Sequence, residues 1–215
     1  MYFEYGDAET DFLKAKDQKL AQVIERVGHI NRPVDDNLFS SVIHHIIGQQ
    51  ISTAAQKTIW KRAKEKYGGL TPEILTKTSV ADLQSLGVTF KKAEYIKNFV
   101  EKVQSREFDL KGVAEMPDKD AIKALTSLKG IGTWTAEMIL LFCLKRPDIL
   151  SYDDLAIQRG MRMLYHRRSI DKKLFEKYRR RYSPYGSVAS LYLWAIAGGA
   201  IPDLSDPAPK KKERK

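Results

Sequence analysis

Apolar residues recur three and four positions apart along almost the whole chain, and nowhere do two runs of strict alternation flank a hairpin turn. Such spacing puts side chains on one face of a helix, whereas a half-buried strand needs a period of two. Leu13, Leu20, Val23 and Ile24 form one stripe, and Phe39, Val42, Ile43, Ile46 and Ile47 the next. Ile51, Ala54, Ala55 and Ile59 follow, then Ala93, Ile96, Val100 and Val103. Helix-breaking punctuation falls between stripes: Gly68-Gly69, Thr71-Pro72, Gly87, Met116-Pro117, Gly130-Ile-Gly132 and Arg146-Pro147. The pattern predicts an all-α fold of roughly ten short helices. Connections are expected to be short except over 104–117 and 146–153, and no repeat at a solenoid period is present. The natural packing is a two-lobed globule, with the first helix crossing back to the second lobe.

With 43% hydrophobic and 30% charged residues among 215, the composition is that of a soluble globular chain. No apolar run approaches the ~18 residues of a membrane helix, and no membrane partner is expected. The N-terminal residues lack a basic region followed by an apolar one, so no signal peptide is expected. A single cysteine, Cys143, excludes an internal disulfide framework and any site held by four cysteines.

Thirty-seven Lys and Arg against 27 Asp and Glu leave a net charge of +10, which points first to a polyanion such as nucleic acid. Between Arg159 and Arg181 ten basic residues face two acids, Asp171 and Glu176. Phosphate neutralisation would use such a segment, although most of these side chains read equally well as a solvated helix face. The end of the chain, 206–215, is proline-broken and then charged, and is expected to be a disordered basic tail.

Leu128-Lys-Gly-Ile-Gly132 lies between two helical stretches. Two glycines two apart permit unusual torsions and close approach. Their amides, with the first N–H groups of the following helix, would form a nest for an anion. Leu128 and Ile131 would pin this turn, while Ala136 and Ile139 face inward.

The wider pattern, Leu-x-Gly-Ile-Gly-x-x-Thr-Ala-x-x-Ile-Leu, resembles the DNA-backbone motif of the helix-hairpin-helix superfamily of DNA glycosylases. The resemblance covers roughly residues 18–198 and is closest to the 3-methyladenine DNA glycosylase II branch. Phe39-Ser-Ser-Val-Ile-His-His-Ile-Ile-Gly-Gln-Gln-Ile-Ser52 is similar to that branch's early helix and Gln-Gln-x-Ser turn. Leu86-Gly-Val-Thr-Phe-Lys-Lys-Ala-Glu-Tyr-Ile96 looks like its middle segment. Tyr182-Ser-Pro-Tyr-Gly-Ser-Val-Ala-Ser-Leu-Tyr-Leu-Trp194 resembles its closing motif, where the family usually has Trp at Tyr182 and Arg at Gly186. The extra N-terminal β-domain of larger members is not expected here.

The resemblance implies a glycosylase domain over 1–205, with two helical subdomains and an active site in the cleft between them. Its implied activity is monofunctional base excision: alkylated purines such as 3-methyladenine and 7-methylguanine are flipped from duplex DNA and hydrolysed off, leaving an abasic site. The implied catalytic acid is Asp154. Breaking an N-glycosidic bond builds positive charge on the sugar, and a carboxylate near C1′ stabilises that charge and orients water. Geometry agrees. A helix from Trp134 to about Lys145 would rise ~17 Å. Residues 147–153 span at most ~25 Å when extended, so the chain can return Asp154 to the hairpin end. One of Asp153 and Asp154 would cap the following helix, leaving the other for chemistry.

Members that also cleave the strand carry a lysine two residues after the second hairpin glycine, where it attacks the sugar. Trp134 stands there, so no AP lyase activity is expected. A flipped base needs a pocket and the duplex a filler. Trp134 and Trp194 match aromatic pocket positions, with Met138 on the same wall, and an indole face favours cationic bases. Trp60 reads as ordinary core. Gln50 is the implied plug, with Gln49 helping at bases or turn, although the two can exchange roles. Lys129, Gly130, Ile131, Gly132 and Thr133 would contact the DNA backbone. His44 and His45 read as structural. No cofactor is required, and no iron–sulfur cluster is expected. Main-chain carbonyls of Thr126, Leu128 and Gly130 could hold Na⁺ or K⁺. The expected partner is double-stranded DNA containing alkylated bases, bound by a monomer that is cytoplasmic and nucleoid-associated in a prokaryote or nuclear in a eukaryote. The alternatives are a relative acting on deaminated or oxidised bases, or a non-catalytic helix-hairpin-helix DNA-binding module. The pair Trp134 and Asp154 disfavours the latter, because backbone binding needs neither.

Overall fold

The computed structural model describes residues 1–208, and the basic end of the chain from 209 onward lies outside them. Among the described residues every regular element is a helix, apart from one isolated bridge between Tyr2 and Pro33. The chain opens with α1 (Asp7–Lys16) and α2 (Gln18–Val27). A central series follows: α3 (Leu38–Gly48), α4 (Thr53–Tyr67), α5 (Pro72–Lys77), α6 (Val80–Gln84), α7 (Phe90–Gln104), α8 (Leu110–Glu115), α9 (Asp118–Thr126) and α10 (Thr133–Phe142). It closes with α11 (Leu155–Tyr165), α12 (Lys172–Tyr182) and α13 (Gly186–Ala197). No described helix is long and apolar enough to cross a membrane.

Among the described residues the thirteen helices exceed the expected ten for local reasons. The stripe from Leu13 to Ile24 is two helices, because Asp17 leaves the helical region (φ −149°) and its carboxylate accepts from the amides of Lys19 and Leu20. That is an N-cap, which starts a new helix as it ends the old one. The long connection expected over 104–117 contains α8, capped in the same way by Asp109. Ile51 lies outside α4 and is exposed, since Ser52 caps that helix. The helix expected to reach Lys145 ends at Phe142.

Two compact units result. One combines 1–34 with 145–208, and here α2 and α11 to α13 pack over Leu20, Val23, Ile24, Ile157, Met161 and Leu193. Gly160 sets how closely α11 meets α13: a Cβ there would lie 2.2 Å from the Leu193 carbonyl oxygen. Only glycine permits that approach. Behind it, the Asp17 carboxylate accepts from the Tyr165 hydroxyl and from Arg181, and Tyr165 bonds the fully buried Tyr182 hydroxyl. Burial pushes both phenols well above the ordinary tyrosine range. Two residues of the basic run are thereby accounted for structurally, since Arg162 also makes a two-pronged pair with Asp206 at 2.9 and 2.6 Å.

The second unit, 35–144, holds α3 to α10 around Phe39, Val42, Ile46, Ile96, Phe99 and Leu125. Phe39 stacks on Phe99 with ring centroids 5.2 Å apart. Trp60 does not join this core: it is half-buried, tilted against His44 at 4.6 Å, with Lys64 over its ring. His45 is turned inward, its Nδ1 2.9 Å from the Ser41 carbonyl, and burial lowers its pKa.

Candidate active site

In the unit formed by both ends of the chain, the close approach at Gly160 brings the start of α11 beside α13. Asp154 is the N-cap of α11, and its Oδ1 accepts from the amides of Ala156 (2.9 Å) and Ile157 (2.8 Å). The same oxygen accepts from the indole Nε1 of Trp194 at 3.2 Å. Three donors on one oxygen fix the carboxylate in place, and the helix N-terminus favours its negative charge. The residue is 93% buried by area, being 7% exposed. Sequence reasoning divided capping and chemistry between Asp153 and Asp154. The structure gives the cap to Asp154 itself, while Asp153 is exposed.

Sequence reasoning missed Arg32, whose guanidinium lies over the Trp194 ring at 5.9 Å. Burial lowers its pKa. Nothing in its local pattern marks it, because it reaches Trp194 from a loop 162 residues away in sequence.

In the central unit, α9 ends at Thr126 and the turn Ser127–Gly132 leads into α10. Leu128 and Ile131 are buried and pin this turn, and Ala136 and Ile139 face inward as their spacing predicts. The glycines differ in role. Gly130 has φ +85°, and a Cβ there would lie 2.2 Å from the Tyr95 ring, so both torsion and packing require glycine. Gly132 is extended at φ −91° and a Cβ would meet nothing within 4 Å. Its function as N-cap of α10 is to add no side chain that would compete for the first-turn amides, and it leaves the space before them open. Lys129, Gly132, Thr133 and Trp134 are exposed on this end, Trp134 at 41%. Met138, one turn further along α10, is buried.

Gln49 and Gln50 end α3. The Gln49 side chain donates from Nε2 to the Gly130 carbonyl at 2.7 Å, which joins this turn to the hairpin. Gln50 is exposed and left-handed, with φ +54°. The Leu128 carbonyl accepts from Ile131 at 3.1 Å, so two of the three carbonyls considered for a cation already accept one bond each. A carbonyl oxygen has a second lone pair, and the set remains chemically suited to a hard monovalent ion.

Residues 43–184 match the HhH-GPD superfamily of base excision DNA repair proteins. The chain belongs to this superfamily. It superposes on the crystal structure of a DNA-3-methyladenine glycosidase from Bacillus halodurans with a TM-score of 0.84 and 37% identity, covering 95% of each chain. It is 28% identical over 208 residues to DNA-3-methyladenine glycosylase 1 of Schizosaccharomyces pombe, covering 93% of this chain and 90% of that protein. The structure of the S. pombe 3-methyladenine DNA glycosylase in complex with abasic DNA matches with a TM-score of 0.80 and 26% identity, over 92% of this chain and 99% of the other. Two longer Bacillus subtilis relatives are spanned to 62% and 57% of their length. The helical HhH-GPD fold expected from the hairpin is the fold observed, and the relatives place the chain in the DNA-3-methyladenine glycosylase family of base excision repair.

Proposed function

We propose that this HhH-GPD protein is a monofunctional DNA glycosylase that removes alkylated purines, 3-methyladenine and 7-methylguanine, from duplex DNA. The observation that carries the reading is the buried Asp154 carboxylate, held by two α11 amides and the Trp194 indole. A negative charge fixed before the reaction begins stabilises a sugar cation without reorganising as the cation forms. The C1′–N9 bond breaks with its electron pair leaving on the purine. Water then bonds to C1′ and loses a proton toward the carboxylate, giving an abasic site.

In this reading the hairpin amides and Lys129 grip phosphate, Gln50 fills the gap left by the flipped nucleotide, and Trp134, Met138 and Trp194 are each candidate base contacts. The name of the S. pombe relative and its abasic-DNA complex support DNA as the partner. Trp134 occupies the position where a strand-cleaving relative would carry its lysine, and an indole cannot form a Schiff base. Thr126, Leu128 and Gly130 carbonyls would hold a Na⁺ or K⁺, whose positive charge would favour phosphate near the hairpin.

Single-turnover assays on a defined 7-methylguanine duplex test this reading. Asp154→Asn is isosteric and removes only charge, so base release is expected to be abolished while abasic-analogue binding stays within about tenfold of wild type. Borohydride is expected to trap no enzyme–DNA adduct. Full activity in Asp154→Asn, or a trapped adduct, overturns the assignment.

A further inference from the structure

Lys92, in the first turn of α7, reaches across to the end of α3. Its ammonium donates to the Ile47 carbonyl at 2.9 Å and to the Gln49 carbonyl at 2.6 Å. Burial lowers its pKa. The Gln49 carbonyl belongs to the peptide plane that leads into Gln50, so fixing that oxygen restricts the torsions on both sides of the plane. Immediately beyond it Gln50 takes φ +54°, a left-handed conformation that residues with a Cβ rarely adopt. Such a conformation persists only where its surroundings over-determine it.

The surroundings do so from two directions. Lys92 holds the main chain at Gln49, while the Gln49 side chain is bonded to Gly130 of the hairpin. A third contact closes the same helix end, with Gln56 Nε2 donating to the His44 carbonyl at 3.0 Å. A cation is also the appropriate group here, since the C-terminal carbonyls of α3 carry partial negative charge. A surface lysine making an incidental contact would not bridge two carbonyls of one turn beside a strained residue.

We infer that Lys92 is a positioning residue for DNA insertion: it sets the peptide plane that holds Gln50 in its left-handed conformation, and Gln49 locks that turn to the hairpin proposed to grip phosphate. The inference rests on the proposed plug role of Gln50 and names what keeps the plug ready before DNA arrives. Because the same turn is bonded to Gly130, seating a phosphate on the hairpin and presenting Gln50 are parts of one rigid arrangement.

The test uses a duplex carrying a tetrahydrofuran abasic analogue opposite 2-aminopurine, whose fluorescence reports filling of the gap without any catalytic step. Lys92→Met, which keeps the stem and removes the ammonium, is expected to bind undamaged duplex within threefold of wild type. It is expected to lose most of the fluorescence change and at least tenfold in kcat on a 7-methylguanine duplex, with KM changed less than threefold. Lys92→Arg is expected to recover most of both signals. Gln49→Ala, which removes no charge, is expected to weaken the fluorescence change in the same direction and covers the case in which Lys92→Met does not fold.

The decisive comparison is a double-mutant cycle with Gln50→Ala, read by fluorescence and kcat. If Lys92 acts through Gln50, the double variant is no worse than Gln50→Ala alone. Multiplying losses, wild-type fluorescence in Lys92→Met, or equal loss of plain-duplex binding would overturn the inference. Failure of base release in wild type, with the fluorescence results intact, would instead remove the glycosylase reading and leave the positioning role standing.

Discussion

The Trp194 indole donates to Asp154 Oδ1 across 40 residues of sequence, and it does so because Gly160 lets α11 lie against the Leu193 backbone. A hydrogen bond to a buried charged group contributes about 1.5–3 kcal/mol. Trp194→Phe keeps an aromatic ring and removes the donor. Single-turnover base release is expected to fall about tenfold or more, with plain-duplex affinity unchanged. An unchanged rate would mean that the indole is not needed to hold the carboxylate.

The two indoles proposed as base contacts differ in setting. Arg32 places a positive charge over the Trp194 ring, and Trp134 is 41% exposed at the start of α10. A cation–π contact is worth about 0.5–2 kcal/mol, or roughly two- to thirtyfold. Trp134→Leu is therefore expected to reduce release of 7-methylguanine relative to neutral hypoxanthine by that factor. For Trp194→Leu the ratio should stay below the upper end of that range, because like charge on Arg32 offsets part of the attraction. Equal losses on both bases, measured on matched oligonucleotides, would mean that the indoles do not select for charge.

The hairpin glycines separate folding from binding. Gly130→Ala forces a Cβ into the Tyr95 ring at φ +85° and is expected to lower stability by at least ~1–3 kcal/mol in chemical denaturation. Gly132→Ala has room and an ordinary torsion, so its melting should match wild type. Its methyl group faces the open space before the α10 amides, and its loss is expected in duplex affinity. A destabilised Gly132→Ala beside a stable Gly130→Ala would reverse this assignment.

Much of the architecture was legible because its signals are local. The stripes from Phe39 to Ile47 and from Ala93 to Val100 correspond to α3 and α7, and the hairpin lies where its glycines indicated. The division at Asp17 was less visible, since apolar spacing continues through the cap and only the carboxylate's bonds to Lys19 and Leu20 end the helix. Trp60 has helical spacing too, yet its ring sits half-exposed against His44, because periodicity does not report depth. Asp154 was singled out by resemblance, while its role as the cap of α11 depends on the turn geometry at 153–155. The contacts of Arg32 with Trp194 and of Lys92 with Ile47 and Gln49 were not legible. They depend on packing between segments 162 and 43 to 45 residues apart, to which a lone arginine or lysine gives no clue.

Acid should weaken the central unit through His45. Burial depresses its folded-state pKa below the ordinary histidine value of about 6.5, outweighing the opposing hydrogen bond to the Ser41 carbonyl. The unfolded chain therefore binds more protons as pH falls below about 6.5, and stability falls by at most ~1.4 kcal/mol per pH unit until the folded-state pKa is reached. Urea midpoints at pH 7.5 and 5.5 are expected to diverge in wild type and to converge in His45→Gln. Asp35 does not confuse this window, because its own pKa is held below the usual carboxylate range by His44 and Ser41.

The central claim is that a fixed carboxylate drives hydrolysis of alkylated purines. Mass spectrometry of the bases freed from methylated duplex DNA tests it most directly, with wild type beside Asp154→Asn and Asp153→Asn. Wild type and Asp153→Asn are expected to release 3-methyladenine and 7-methylguanine while Asp154→Asn releases neither, although it still binds abasic-analogue duplex. Release of uracil or hypoxanthine but no methylated purine by wild type, or undiminished release by Asp154→Asn, would contradict the account.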